Sequence, residues 1–173
     1  MKFLFIIWIG FLVSFKPHSF SQSSTHFKNL HQLNDSIFRS EQPSKKGFKE
    51  LEKLGIQTIL NLRNNKKDKT SKSSNLRLEH IEIKPTEVTY ADVVSALKII
   101  KTAPKPLLVH CYYGSDRTGV IVATYRMALC DWEREDAIDE FRKTEYGYHE
   151  KRLPQLLTFL QNLDIEKLNA DLK

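Results

Sequence analysis

The chain has 173 residues, 40% of them hydrophobic and 28% charged, with 27 Lys and Arg against 21 Asp and Glu. That length accommodates one domain but not two full cores, and the composition excludes disorder as the state of the body of the chain. The net charge of +6 favours anionic ligands, yet the basic residues are scattered rather than gathered in a stripe, which argues against a nucleic-acid partner.

The first residues read as a secretory signal. Lys2 gives a positive start, residues 3–15 form an apolar run without charge, and Ser19-Phe20-Ser21 offers small residues where a signal peptidase cuts. The run has 13 residues, whereas a spanning helix needs about 20. Cleavage after Ser21 therefore fits better than a stable membrane anchor, and the expected location is the periplasm or the exterior. Removal of residues 1–21 takes away Lys2 and Lys16, leaving 25 basic against 21 acidic residues and a net charge of +4. Residues 22–173 then make up the functional domain, beginning with a polar arm over residues 22–28.

A short β segment is expected at Ile37-Phe38-Arg39-Ser40. Pro43 and Ser44 open a helix with Phe48, Leu51 and Leu54 on one face and Gly55 as its stop. Residues 56–62 read as a strand, residues 64–74 as a solvated polar loop, and residues 76–83 as another strand. Thr89 caps the next helix, with Asp92 in the place of a capping acid and Val93, Leu97 and Ile100 at helical spacing. Residues 106–110 form a short apolar run, as in a strand buried on both faces. The helix over residues 119–129 carries Arg126 as its only charge and belongs in the core. Two amphipathic helices follow, one with Ala137, Ile138 and Phe141, the other over residues 151–163 with Pro154 in its first turn. Strands alternating with helices give an α/β fold with a small, largely parallel central sheet flanked by helices.

The chemistry resides in His110-Cys111-Tyr112-Tyr113-Gly114-Ser115-Asp116-Arg117-Thr118-Gly119, where a buried strand hands over to a buried helix. Ligands of open α/β sheets lodge at the carboxyl ends of strands. Amide N–H groups and the helix dipole there favour an anion. Gly114 lets the loop curl until its amides converge, and Arg117 adds a fork of donors matched to two phosphate oxygens. A thiol placed in such a field ionises more readily and becomes a competent nucleophile. Residues Tyr112 to Thr118 are therefore the expected phosphate cradle, with Cys111 attacking phosphorus.

This segment, Cys111-x5-Arg117-Thr118 preceded by His110, resembles the signature of the cysteine-based protein tyrosine phosphatase superfamily. The short chain is similar to the dual-specificity branch. Phe38-Arg39-Ser40-Glu41-Gln42-Pro43, Asn61-Leu62-Arg63 and Gly147-Tyr148-His149 resemble bacterial members of that branch. The resemblance implies Cys111 as nucleophile, Arg117 as phosphate and transition-state ligand, Thr118 as stabiliser of the departing sulfur, and His110 as support for the thiolate. It also implies hydrolysis of a phosphorylated protein or a small phosphate ester, without metal or other cofactor.

Several points stay open at this level. The usual acid loop of the family would fall within residues 84–92, which offer only Glu87 and Asp92, so Asp116 stands beside them as a candidate general acid. His110 can equally be a satisfied core residue. Tyr112 and Tyr113 fit the rim, while Arg39, Arg63 and His149 fit structural roles. An inositol phosphate or phosphoinositide substrate is the alternative within the enzyme class; a phosphate-binding module without turnover is the alternative outside it. The six histidines are dispersed, with no metal-ligand spacing. The helix between Cys111 and Cys130, at about 1.5 Å per residue, holds them far beyond the roughly 7 Å a disulfide tolerates. The sequence leaves the oligomeric state open.

Overall fold

The computed structural model describes residues 26–173; the expected leader, residues 1–21, lies outside them. Strands β1 (His31–Gln32), β2 (Ile37–Ser40), β3 (Thr58–Arg63), β4 (Arg77–Ile83) and β5 (Leu107–His110) form one sheet in the order β1-β2-β5-β3-β4. Only the β1–β2 pairing is antiparallel; β2–β5, β5–β3 and β3–β4 are parallel. The helices are α1 (Lys45–Lys53), α2 (Tyr90–Thr102), α3 (Asp116–Leu129), α4 (Arg134–Arg142), α5 (Pro154–Asn162) and α6 (Ile165–Asp171).

Alternation along the central strands sorts side chains into two cores. Leu107 and Val109 of β5, Leu60 and Leu62 of β3, and Ile37 of β2 point to the face covered by α2, α3 and the C-terminal helices. Leu108, Ile59 and Phe38 point to the opposite face, where Phe48 and Leu51 of α1 close a smaller core. A strand with a core on both faces must be apolar throughout, and β5 is buried at every residue.

The ends of the helices follow their caps. Ser44 accepts from the Gly47 amide at the start of α1, and Gly55 follows the helix at φ +85°. Thr89 and Asp92 form a reciprocal capping box on α2. Helix α3 is buried along nearly its whole length, and the cation of its last turn, Arg126, is matched by Glu140 of α4 at 2.8 and 2.9 Å.

Two expectations are corrected, and two short elements carry no sequence expectation. Phe27, in the expected polar arm, is buried in the smaller core and packs over Gly47. Helix α3 starts at Asp116 rather than Gly119, because Ser115 is its N-cap and the loop feeds directly into its first turn. The expected helix over residues 151–163 is α5, with Pro154 in its first turn; beyond it, Leu163 runs in extended backbone and the Asp164 side chain caps a further helix, α6, by accepting from the Lys167 amide. The two-residue strand β1 carried no periodic signal. Among the described residues no helix is long and apolar enough to cross a membrane.

Candidate active site

Parallel strands β2, β5 and β3 end side by side, and the loop from Cys111 to Ser115 leaves the middle one to enter α3. The curl depends on Gly114. Its φ is +72°, and a Cβ there would stand 2.4 Å from the carbonyl carbon and oxygen of Ser40 and 2.6 Å from the Glu41 amide. Those neighbours are backbone and cannot yield, so the position requires glycine. From below, the loop is held by Arg39, whose Nη2 donates to Gly114 O at 2.7 Å while its guanidinium stacks on Tyr146 at 4.1 Å.

Held in this way, the loop leaves its donors unspent. Among the described residues no protein group accepts the backbone N–H of Tyr112, Tyr113, Gly114, Ser115, Asp116 or Arg117. Buried amides are nearly always paired, so a row of free ones at the start of a buried helix is a site made for an anion. Further donors join it. Arg117 is buried, and its Nη1 is anchored to Leu62 O, Ile83 O and Asn64 Oδ1 at 3.2–3.3 Å, which fixes the guanidinium at the ends of β3 and β4. Its Nε is buried without a partner, as are Arg39 Nε and Nη1 and Thr118 Oγ1. Cys111 sits at the head of this constellation, 2% exposed and a free thiol.

Burial pushes the Arg39 guanidinium below its ordinary range, and attraction to Tyr146, Glu140 and Cys111 pulls it back. With two unpartnered N–H positions beneath the loop, Arg39 adds positive potential beside Cys111 without reaching the solvent face. It is structural in position and electrostatic in effect.

His110 ends β5 with no exposed surface. Its Nδ1 donates to Cys111 O at 3.0 Å, and its Nε2 lies 2.7 Å from Asp68 Oδ2. Asp68 belongs to the loop between β3 and β4, expected to be solvated throughout. Lys66, Lys67 and Lys69 are indeed exposed, but the Asp68 side chain is turned inward and 4% exposed. Gln42 Nε2 donates to its other oxygen at 2.9 Å, and Arg63 Nη1 in turn donates to Gln42 Oε1 at 3.0 Å. Burial raises the Asp68 carboxyl, but hydrogen bonds from His110 and Gln42 outweigh it and leave the group below the usual carboxylate range.

The three expected acids fall in different places. Asp92 Oδ2 accepts from both the amide and the hydroxyl of Thr89, at 2.9 and 2.8 Å, which is the work of a cap. Glu87 is exposed and pairs with Lys84 at 3.1 Å. Asp116 lies on the first turn of α3, with its carboxylate accepting from the His149 amide at 3.0 Å and from His149 Nδ1 at 3.0–3.1 Å. His149 also approaches Tyr113, with 5.5 Å between ring centroids. Among the seven expected cradle residues, Tyr112 and Tyr113 turn their rings outward, half exposed and edge to face at 4.7 Å. Arg63 lies 5.0 Å from the Tyr112 ring. The tyrosines thus leave unpartnered amides on the loop and place their rings at its rim.

Comparison with known proteins agrees with this geometry. A profile of the tyrosine phosphatase family matches residues 21–173. The chain belongs to that family. Within the cysteine-based protein tyrosine phosphatase superfamily it resembles a bacterial branch represented by the dual specificity protein phosphatase TpbA of Pseudomonas aeruginosa. TpbA is 23% identical over 142 residues, a match that covers 81% of this chain and 65% of TpbA. The chain therefore spans about two thirds of that relative's length. The inositol diphosphatase DSP5 of Arabidopsis thaliana is 28% identical over 156 residues, covering 81% of this chain and 72% of DSP5. Among solved structures, a TpbA variant in complex with pTyr superposes with a TM-score of 0.75 at 21% identity, covering 88% of this chain and 98% of that one. The catalytic core of the PP-IP phosphatase SIW14 of S. cerevisiae, with citrate, gives 0.69 at 22% identity, covering 86% and 93%. These last two likenesses concern the fold.

Proposed function

We propose that the protein is a phosphoric monoester hydrolase working through a cysteinyl-phosphate, with phosphotyrosine-type protein substrates as its main class. One observation carries this reading: Cys111 stands at the head of a loop whose six successive amides have no acceptor among the described residues and whose arginine is anchored in place. The Cys111 thiolate attacks phosphorus, the P–O bond to the leaving alcohol breaks, and that alcohol takes a proton. Water then attacks phosphorus, the S–P bond breaks, inorganic phosphate departs, and the thiolate is restored. The loop amides and Arg117 hold the equatorial oxygens through both steps. The unpartnered Thr118 hydroxyl is free to stabilise the departing sulfur.

Of the three expected acids, Asp92 and Glu87 are engaged elsewhere, which favours Asp116 as the proton donor, with His149 orienting its carboxyl. The exposed Tyr112 and Tyr113 rings suit an aryl phosphate, and the loop between Cys111 and Arg117 carries no lysine. A second reading, an inositol phosphate or phosphoinositide substrate, is favoured by Lys66, Lys67 and Lys69 on the neighbouring loop and by the likeness to an inositol diphosphatase. We also propose export, on the strength of Lys2, the apolar run and the small residues at 19–21. Intact mass of the exported chain, shortened by about 21 residues, checks this.

The activity test is Cys111→Ser against a panel of phosphotyrosine peptides, phosphoserine peptides and inositol phosphates. The reading expects turnover to vanish while vanadate still binds, and wild-type activity to survive chelators. Turnover by Cys111→Ser, or no turnover by the wild type on any member of the panel, contradicts it. Preference for inositol phosphates selects the second reading.

A further inference from the structure

The polar loop between β3 and β4 was expected to be solvent-facing, yet its one acid is buried against the histidine that precedes the nucleophile. The chemistry of that contact is constrained. Both ring nitrogens of His110 face oxygen: Nδ1 faces the Cys111 carbonyl at 3.0 Å and Nε2 faces the Asp68 carboxyl at 2.7 Å. A carbonyl only accepts, so Nδ1 carries a hydrogen. The Nε2···Oδ2 contact then needs a proton of its own, held by the ring or by the acid. The ring has no exposed surface and the Asp68 side chain is 4% exposed, so both groups are shielded from bulk solvent.

We propose that Asp68 is a positioning residue for the nucleophile: it keeps the His110 ring doubly protonated and turned so that Nδ1 holds the Cys111 backbone. The assignment deepens the phosphatase reading and rests on Cys111 as the reacting thiol. Gln42 Nε2 at Oδ1 fixes the rotation of the carboxyl. Asn61 Nδ2 donating to Lys66 O at 2.8 Å and Arg117 Nη1 at Asn64 Oδ1 tie the loop's near end to the sheet and the signature arginine. The loop is thus fastened to the site at three side chains, of which Asp68 alone reaches the nucleophile's neighbour.

The charged and titratable groups around the pair come from four elements. Cys111 follows His110 in the chain. His80 of β4 acts on Asp68 and bonds Arg63 O at 2.6 Å. Arg63 of β3 reaches Gln42, and Arg39 of β2 acts on Cys111 from below. Apart from the Cys111 thiolate, Asp68 is the acid among them. Its loss leaves His110 with no anion to retain the second proton, and Cys111 loses a nearby cation.

Two measurements on the mature chain test this. Nitrogen-edited NMR of the wild-type histidine rings should show both N–H groups of His110 at neutral pH, the Nε2 proton far downfield, and Asp68→Asn should lose that downfield proton. In parallel, the pH midpoint of iodoacetamide alkylation, mapped to Cys111 by peptide mass, should rise by roughly one unit in Asp68→Asn, and Asp68→Glu should recover part of it. A wild-type His110 with a single ring proton and no downfield Oδ2-bonded proton overturns the proposal whatever the variant does. So does a folded Asp68→Asn whose Cys111 alkylates at the wild-type midpoint. A wild-type Cys111 that does not alkylate counts against the phosphatase reading, while the NMR result still decides the role of Asp68.

Discussion

Two loops meet at the mouth of the site, and they are built in opposite ways. The signature loop holds itself by its carbonyls and keeps its donors back: Tyr112 O, Gly114 O and Ser115 O are bonded, whereas its amides are unpartnered among the described residues, its glycine is pressed against the Ser40 carbonyl, and its arginine is anchored through one nitrogen. The loop between β3 and β4 spends its side chains: Asn64 on Arg117, Asp68 on His110 and Gln42, while its lysines face water. Binding capacity is kept by the loop that leaves its donors unspent. Orientation comes from the loop that commits side chains to its neighbours. Removing a residue from the first should therefore cost turnover, and removing one from the second should cost preorganisation and stability.

The largest effect sharpens this division. Arg117→Lys keeps the charge but loses the planar fork, and kcat should fall about 10²–10³-fold, far more than the loss of stability from the contacts at Leu62 O, Ile83 O and Asn64 Oδ1 accounts for; a kcat within a few-fold of wild type would break the comparison at its strongest point. Asp116→Asn should slow an alkyl phosphate by roughly 10²-fold or more, and slow an aryl phosphate with an acidic phenol far less. Equal slowing on both substrates would reduce Asp116 to an orienting partner of His149.

On the other loop the readout is stability. The Asp68 carboxyl is depressed in the folded state, so its contribution is present above the unfolded value of about 4 and is lost as pH falls through the folded value. Asp68→Asn should therefore lower Tm near neutral pH, by the equivalent of about 1–3 kcal/mol for a buried polar partner removed, and the gap should close as acidification protonates the folded-state carboxyl. A gap that widened on acidification would reverse the sign of the argument. The smallest effect is expected at Asn64→Ala. It removes one of the three contacts at Arg117 Nη1 and should cost about 1 kcal/mol, seen as a modest rise in KM for phosphate esters.

The same contrast explains what could be read from the chain in advance. The signature loop is local in sequence: strand, glycine, arginine and helix lie within ten residues, and strand burial and helix entry are fixed by their own composition. The capping box at Thr89 and Asp92 was equally legible, and so was the parallel sheet. Asp68 was not, because the residues that recruit it, His110 and Gln42, stand 42 and 26 positions away, and a lysine-rich stretch looks solvated whichever way its one acid turns. Arg39 sits in a recognisable segment, but its place beneath Gly114 follows from the β2–β5 register rather than from any pattern along β2. The pairing of Asp116 with His149 likewise depends on how the segment after α4 folds back, 33 positions on.

The central claim is that the row of unspent amides closed by Arg117 exists to hold a phosphoryl group on Cys111. The most direct test is acid quenching of the wild-type protein during turnover of an aryl phosphate, followed by peptide mass mapping. The account predicts one phosphoryl group on the peptide containing Cys111, absent in Cys111→Ser. A phosphoryl group on any other residue, or steady turnover by Cys111→Ser, would contradict it.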